Sequence, residues 1–127
     1  MTDARSETSA APSAATVNPG DSRAKALYKE GFGLFAKGEV AAAIARYREA
    51  IAADPALAIA WNGLALALAK QGDLEAAIDA AETLVRLEPD DPLSHTNLSR
   101  ILMQKGLIPE AEDAKARAMG LQMKQRR

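Results

Sequence analysis

Glycine recurs along this chain at a fixed step of 34 residues, at Gly38, Gly72 and Gly106. Each of these glycines lies between two stretches in which apolar residues are spaced three or four apart, which is typical of one face of an α-helix. A glycine at the end of a helix favours a tight turn with positive φ. The step therefore predicts a unit of helix, turn and helix that repeats three times.

Other residues keep the same step, so the repeat involves whole units and not only their turns. They are Leu34, Leu68 and Leu102; Ala43, Ala77 and Ala111; and Pro55 and Pro89. A small alanine lets two helices cross closely, and a proline ends one helix and suits the first turn of the next. We expect six helices in all, each of about 12 to 16 residues.

The first 21 residues have a different composition, in which Ser, Ala, Thr and Pro predominate without a helical period. Such a segment offers too little apolar surface to offset the entropy of ordering. We predict a disordered tail over residues 1–21 and a helical domain over 22–127. Because the sequence has neither the apolar stretch of a secretory signal nor the roughly 20 apolar residues of a membrane span, we expect a cytoplasmic protein.

The repeat resembles the tetratricopeptide repeat (TPR) family, whose pattern fits units over 24–57, 58–91 and 92–125. The middle unit fits best, with Trp61 at the large first position, Leu64 and Ala65 at the Leu-Gly pair, Leu68, Gly72 and Ala77 further along, and Pro89 at the end. The third unit departs from the pattern at Lys115, where an apolar or aromatic residue is usual, and at Met123, where proline is usual.

The resemblance implies an all-α fold, an α-solenoid of three TPR units that forms a right-handed superhelix. A polar residue such as Lys115 suits the last helix, because the ends of a repeat array must face water. We expect that last helix to run from residue 108 to about 119 and to fray or kink at Gly120.

In the TPR family, the first helices of successive units line a concave groove that binds a peptide or a helix of another protein. The groove residues implied by the register are Tyr28, Phe32 and Phe35 from the first unit, Ile59, Asn62 and Leu66 from the second, and Leu93, Thr96, Arg100 and Met103 from the third. Tyr, Phe, Met and Arg are enriched at binding patches. An apolar stripe at helical spacing is also the usual sign of a core face, so packing within the stack stays an alternative.

The best-known groove chemistry of the family is a clamp of Lys, Asn and Arg side chains that binds the acidic C-termini of heat-shock chaperones. The five corresponding positions of this chain hold Tyr28, Phe32, Gly63, Leu93 and Asn97. None of them is the residue that the clamp requires. The sequence therefore argues against a chaperone tail as the partner.

Residue types that carry catalysis or bind metals are scarce. The chain has no cysteine and one histidine, His95, which takes the position of Trp61 in the third unit. A lone histidine lacks the other ligands of a metal site and the partners of a catalytic triad. We expect His95 to be a partly buried packing residue, and we expect no enzymatic activity, cofactor or metal.

Charge is unevenly distributed, although the formal net charge is only -1. Residues 73–91 hold seven acids and one base, and residues 115–127 hold five bases and no acid. Solvated helix faces explain both stretches. Self-association into a homo-oligomer or an assembly is an alternative. Nucleic acid is not predicted as a partner, because no aromatic residue follows the bases for stacking, and no membrane surface is predicted either.

Overall fold

The computed structural model describes residues 22–126, and every regular element in this part of the chain is an α-helix. The helices are α1 (Ser22–Ala36), α2 (Val40–Ala53), α3 (Ala58–Gln71), α4 (Leu74–Leu87), α5 (Pro92–Lys105) and α6 (Ile108–Gln125). The prediction of an all-α fold with six helices is confirmed. The tail predicted over residues 1–21 lies outside the described residues, and the exact unit boundaries stay a prediction.

The three glycines of the 34-residue step close the turn inside each helix pair. Their φ angles are 84° at Gly38, 95° at Gly72 and 90° at Gly106, as the sequence predicted. At the middle turn, the backbone N–H of Asp73 donates to the carbonyl of Leu68 at 2.9 Å, and the equivalent bond closes the other two turns at the same length. The left-handed glycine turns the chain so that this bond can form.

The core of the first two pairs is built around the ring of Tyr47 on α2, which is only 1% exposed. The backbones of α1 and α3 approach this ring at two glycines. A Cβ atom added at Gly31 would lie 2.8 Å from a ring carbon, and one added at Gly63 would lie 2.7 Å from another. The ring of Tyr28 packs against the same side chain with a centroid distance of 5.8 Å. Tyr47 thus joins the first unit to the second.

Burial raises the pKa of the Tyr47 phenol above its ordinary value of 10.0, and the nearby Tyr28 phenol adds to the effect. The folded chain therefore holds this proton more tightly than the unfolded chain. The resulting stability is fully present below the unfolded-state pKa of about 10 and is lost as the pH rises from there through the folded-state value.

We expect Tyr47→Phe to remove this alkaline loss of stability while leaving the free energy of unfolding near neutral pH almost unchanged. The hydroxyl has no hydrogen-bond partner among residues 22–126, so its removal breaks no bond. Urea unfolding of both proteins between about pH 7 and about pH 11 measures the effect. The prediction would be contradicted if the free energy of unfolding fell equally in both proteins above about pH 10.

Trp61 and His95 occupy the same position in successive units and make the same hydrogen bond. The indole Nε1–H of Trp61 donates to the carbonyl of Pro55 at 2.7 Å, and Nε2 of His95 lies 2.8 Å from the carbonyl of Pro89. Because a carbonyl oxygen only accepts, Nε2 of His95 carries the proton. His95 is buried, so the expectation of a packing histidine is confirmed.

We expect His95→Ala to lower the free energy of unfolding by about 1–3 kcal/mol, because it leaves the carbonyl of Pro89 without this donor. His95→Trp keeps a ring N–H, as in the preceding unit, and should lose clearly less. Urea denaturation of the three proteins measures the difference. Equal stability of His95→Ala and the parent would show that the bond contributes nothing.

The last helix is longer than the sequence predicted. α6 continues through Gly120 as far as Gln125, so the prediction of a frayed or kinked end at Gly120 was wrong. One interior glycine costs a helix only about 1 kcal/mol relative to alanine, and Met123 replaces the proline that would stop it. The side-chain amide of Gln125 donates to the carbonyl of Asp90 at 2.9 Å, which holds the end of α6 against the loop between α4 and α5.

Candidate peptide-binding groove

The first helices of the three pairs, α1, α3 and α5, lie next to one another, and α3 contacts both of the others. All ten predicted groove residues belong to these three helices. We call the surface that the three helices line the candidate groove. It contains two depressions.

The first depression lies between the beginnings of α3 and α5, with Leu84 of α4 beneath it, and has a volume of about 320 Å³. Ile59 and Leu93 are two of its walls and expose much of their apolar side chains. Asn62 and Asn97 are two of its polar residues. The depression thus combines exposed apolar surface with a small number of polar groups, which is the composition of a ligand site.

Asn62 and Asn97 bond to each other across the two helices, and Nδ2 of Asn97 donates to Oδ1 of Asn62 at 2.6 Å. This hydrogen bond uses the NH₂ group of one asparagine and the side-chain oxygen of the other. The oxygen of the first asparagine and the NH₂ group of the second therefore remain available. This holds whichever way the two amides are turned. Neither leftover group has a partner among the described residues. A donor beside an acceptor matches the C=O and N–H of a peptide main chain.

The second depression crosses all three helices at the other end of the candidate groove and has a volume of about 430 Å³. Phe35 and Leu66 provide its apolar surface, and Lys70 and Arg100 provide positive charge. The side-chain amide of Gln104 on α5 donates to a backbone carbonyl of α3 at 3.1 Å beside it. This bond holds α5 against α3 at the floor of the depression.

The two ends of the candidate groove carry opposite charge. Glu88 and Asp91 lie at the rim of the first depression, where α4 leads into α5. Asp91 also accepts a bond from the backbone N–H of Leu93 at 3.0 Å and so begins α5. Lys70 and Arg100 lie at the second depression. A ligand that spans both depressions therefore meets acids at one end and bases at the other.

The structure does not bring all the predicted residues together. Tyr28 packs against Tyr47 and belongs largely to the core, which is the packing alternative that the sequence left open. Phe32 is exposed beside it, with a ring centroid distance of 6.2 Å. Thr96 and Met103 line a separate depression next to α6, which Arg100 also borders.

Four polar residues of the first depression, Glu88, Asp91, Ser94 and Asn97, are missing from the groove that the sequence predicts. Asn97 directly follows Thr96, a predicted groove residue of α5. It occupies a position of the chaperone clamp but is not the residue that the clamp requires there. Glu88 and Asp91 come from the loop after α4, which is not part of the first helices. Both carboxylates belong to the acidic stretch over 73–91, which is the feature of the sequence that could have indicated an acidic rim.

Within residues 22–126, no group of three or more His, Cys, Asp or Glu side chains is placed to hold a metal ion. None of the helices in this part of the chain is long and apolar enough to cross a bilayer. The absence of a cofactor and of enzymatic activity stays a prediction.

The family model described as tetratricopeptide repeat matches this chain twice, over residues 28–92 and 70–120. The chain belongs to the tetratricopeptide repeat family. A search of curated protein sequences found no match to this TPR chain.

The solved structures that share the TPR fold with this chain include the following three. MamA has 28% identity and a TM-score of 0.77, over 80% of this chain and 60% of its own. The first TPR of Spaghetti (RPAP3), bound to the HSP90 peptide SRMEEVD, has 20% identity and a TM-score of 0.76, over 79% of each chain. The CopN–Scc3 complex has 22% identity and a TM-score of 0.75, over 80% of this chain and 59% of its own. The chain spans about 60% of the length of MamA.

Proposed function

We propose that this TPR chain is a protein-interaction module that binds a peptide or an amphipathic helix of a partner protein in the candidate groove. The observation that carries the proposal is the pair of Asn62 and Asn97, which leaves a donor and an acceptor between the exposed side chains of Ile59 and Leu93. Main-chain bonds hold an extended peptide, and neighbouring apolar surface selects its side chains. The role is that of an adaptor or scaffold in the cytoplasm.

The charges at the two depressions define the class of peptide. Its middle is apolar and lies along Ile59 and Leu66. A basic residue near one end lies beside Glu88, and an acidic residue or a terminal carboxylate near the other end lies beside Lys70. Such complementarity contributes mainly to the orientation and specificity of the bound peptide.

The acidic chaperone tail does not fit this groove, although one neighbour of the same fold is bound to an HSP90 peptide. The clamp of the family requires Asn at the position of Gly63. A Cβ atom there would lie 2.7 Å from the ring of Tyr47, so no larger residue fits without displacing that ring. The ring of Tyr47 would therefore have to shift to admit the asparagine of the clamp.

Selection from a random peptide library tests the proposal, because it lets the groove choose its own ligand. The parent should enrich peptides that share the apolar middle and the two charged ends. The groove variant Phe32→Glu/Ile59→Glu changes two exposed side chains and should still fold, but it should not bind these peptides. The control variant Ala41→Glu/Ala52→Glu adds the same charge at exposed positions of α2, outside the groove, and should bind like the parent.

Binding of the selected peptides by the groove variant as strongly as by the control would place the binding surface elsewhere. No enrichment by the parent would also contradict the proposal. Circular dichroism of each variant confirms that its helices are intact, so loss of binding is not loss of fold.

A further inference from the structure

Four residues on one side of α6 are exposed, whereas the equivalent residues of the preceding unit, on α4, are covered. The four positions are Ile108, Glu112, Lys115 and Met119, and their equivalents one repeat earlier are Leu74, Ile78, Ala81 and Val85 on α4. On α4, Ala81 is fully buried, and Leu74 and Ile78 pack against the core. On α6, Ile108 is 47% exposed and Met119 is 53% exposed. We call these four residues of α6 the α6 face.

The opposite end of the stack is not complementary to the α6 face. Lys29, Glu30 and Lys37 border the outer side of α1, and Lys29 is the equivalent of Gly63. Inside the stack, Gly63 lies against Tyr47, and the equivalent of Tyr47 in the last unit is Lys115. A second copy that stacked head to tail would therefore place its Lys29 against Lys115. Two like charges in one packed contact are strongly unfavourable.

The α6 face is complementary to itself when one helix is reversed. In an antiparallel pair of α6 helices related by a two-fold axis beside residues 113 and 114, each residue faces a fixed partner. Ile108 lies opposite Met119 of the second copy, and Glu112 lies opposite Lys115 of the second copy. The apolar pair and the ion pair then each occur twice, which is what a two-fold interface requires.

We propose that a second copy of this chain docks on the α6 face, with the two α6 helices antiparallel. The contact lies outside the two depressions of the candidate groove, so it goes beyond peptide binding. Because it is built from four side chains of one helix in each copy, the dimer forms and dissociates with concentration and is not permanent.

Sedimentation equilibrium of the full chain between about 10 μM and about 1 mM tests the proposal. The mean mass should rise from the 13.4 kDa of one chain towards twice that value. Lys115→Glu places two acids opposite each other and should raise the dissociation constant at least about tenfold. Glu112→Lys/Lys115→Glu restores opposite charges and should restore the dimer.

A matched control changes charge on α6 outside the face. Asp113→Lys/Arg117→Glu exchanges an acid and a base at exposed positions on another side of the same helix, and it should dimerise like the parent. A mass of one chain at every concentration would overturn the proposal. So would a dimer that Lys115→Glu does not weaken. Dimerisation only after deletion of residues 1–21 would show that the chain covers its own face, and would also overturn it.

Cysteine pairing tests the register, because the chain has no cysteine of its own. A mixture of Ile108→Cys and Met119→Cys chains should form a disulfide between the two kinds of chain. Met119→Cys alone should form little, since the two copies of residue 119 would lie about 16 Å apart along the helix pair, beyond the reach of a disulfide. Equal cross-linking in both experiments would overturn the antiparallel register.

Discussion

Tyr47→Ala is expected to lower the free energy of unfolding by about 3–5 kcal/mol, the loss usual for a buried aromatic residue. The ring fills the space between the backbones of α1 and α3, so its removal leaves a cavity at the junction of two units. Folded domains of this size are stable by only about 5–15 kcal/mol. Thermal and urea unfolding followed by circular dichroism measure the change.

The same contact can be tested from its other side, in case Tyr47→Ala does not fold. Gly63→Ala introduces a methyl group at 2.7 Å from the ring and should cost about 1–3 kcal/mol of strain. Gly33→Ala is the control, because nothing lies within 4 Å of its added Cβ atom. It should stabilise α1 by up to about 1 kcal/mol.

The effect of Gly63→Ala on the free energy of unfolding should depend on whether Tyr47 is present. In the Tyr47→Ala background the ring is absent, so Gly63→Ala should no longer destabilise the chain. A double-mutant cycle measures this coupling. If Gly63→Ala destabilises the chain equally with and without the ring, the ring contact is not the cause.

Leu93→Glu is expected to weaken the binding of a groove-selected peptide at least about 30-fold, the loss typical of a central contact residue. Leu93 is 64% exposed in the first depression, so the change removes apolar contact surface without disturbing the core. Fluorescence anisotropy with a labelled peptide measures the affinity.

Met123→Glu is the matched control for this experiment. Met123 is 62% exposed, nearly the same as Leu93, but it lies near the end of α6 and not in the candidate groove. The control should bind the peptide like the parent, and both variants should unfold near the parent's midpoint. Similar losses of affinity in the two variants would mean that added charge, and not the groove, is responsible.

The sequence predicts the helices and turns well because their causes are local. The positive φ at Gly72 depends on that residue alone being glycine. The 34-residue step places a glycine at the same turn of each helix pair. The place of His95 is predictable for a similar reason, since its register position is that of Trp61. A position in a repeat unit is enough to define these features.

Features that depend on contacts between units could not be predicted in this way. Tyr28 was predicted to line the groove, but the ring of Tyr47 draws it into the core. The bond between Asn62 and Asn97 joins residues that are 35 positions apart, and neither side chain alone indicates it. Likewise, the bond from Gln125 to the carbonyl of Asp90 joins residues that are 35 positions apart, and neither residue alone indicates it.

The charged outer side of α1 limits the place that this chain can take in any larger array. A repeat fold whose two ends match can grow without limit, because each added copy presents a fresh end. Lys29, Glu30 and Lys37 give α1 a charged outer side, which is the character of the helices that end solenoids. If two copies pair through α6 as proposed, the charged outer side of α1 faces outward in both copies, and the assembly closes at two chains instead of extending into a fibre.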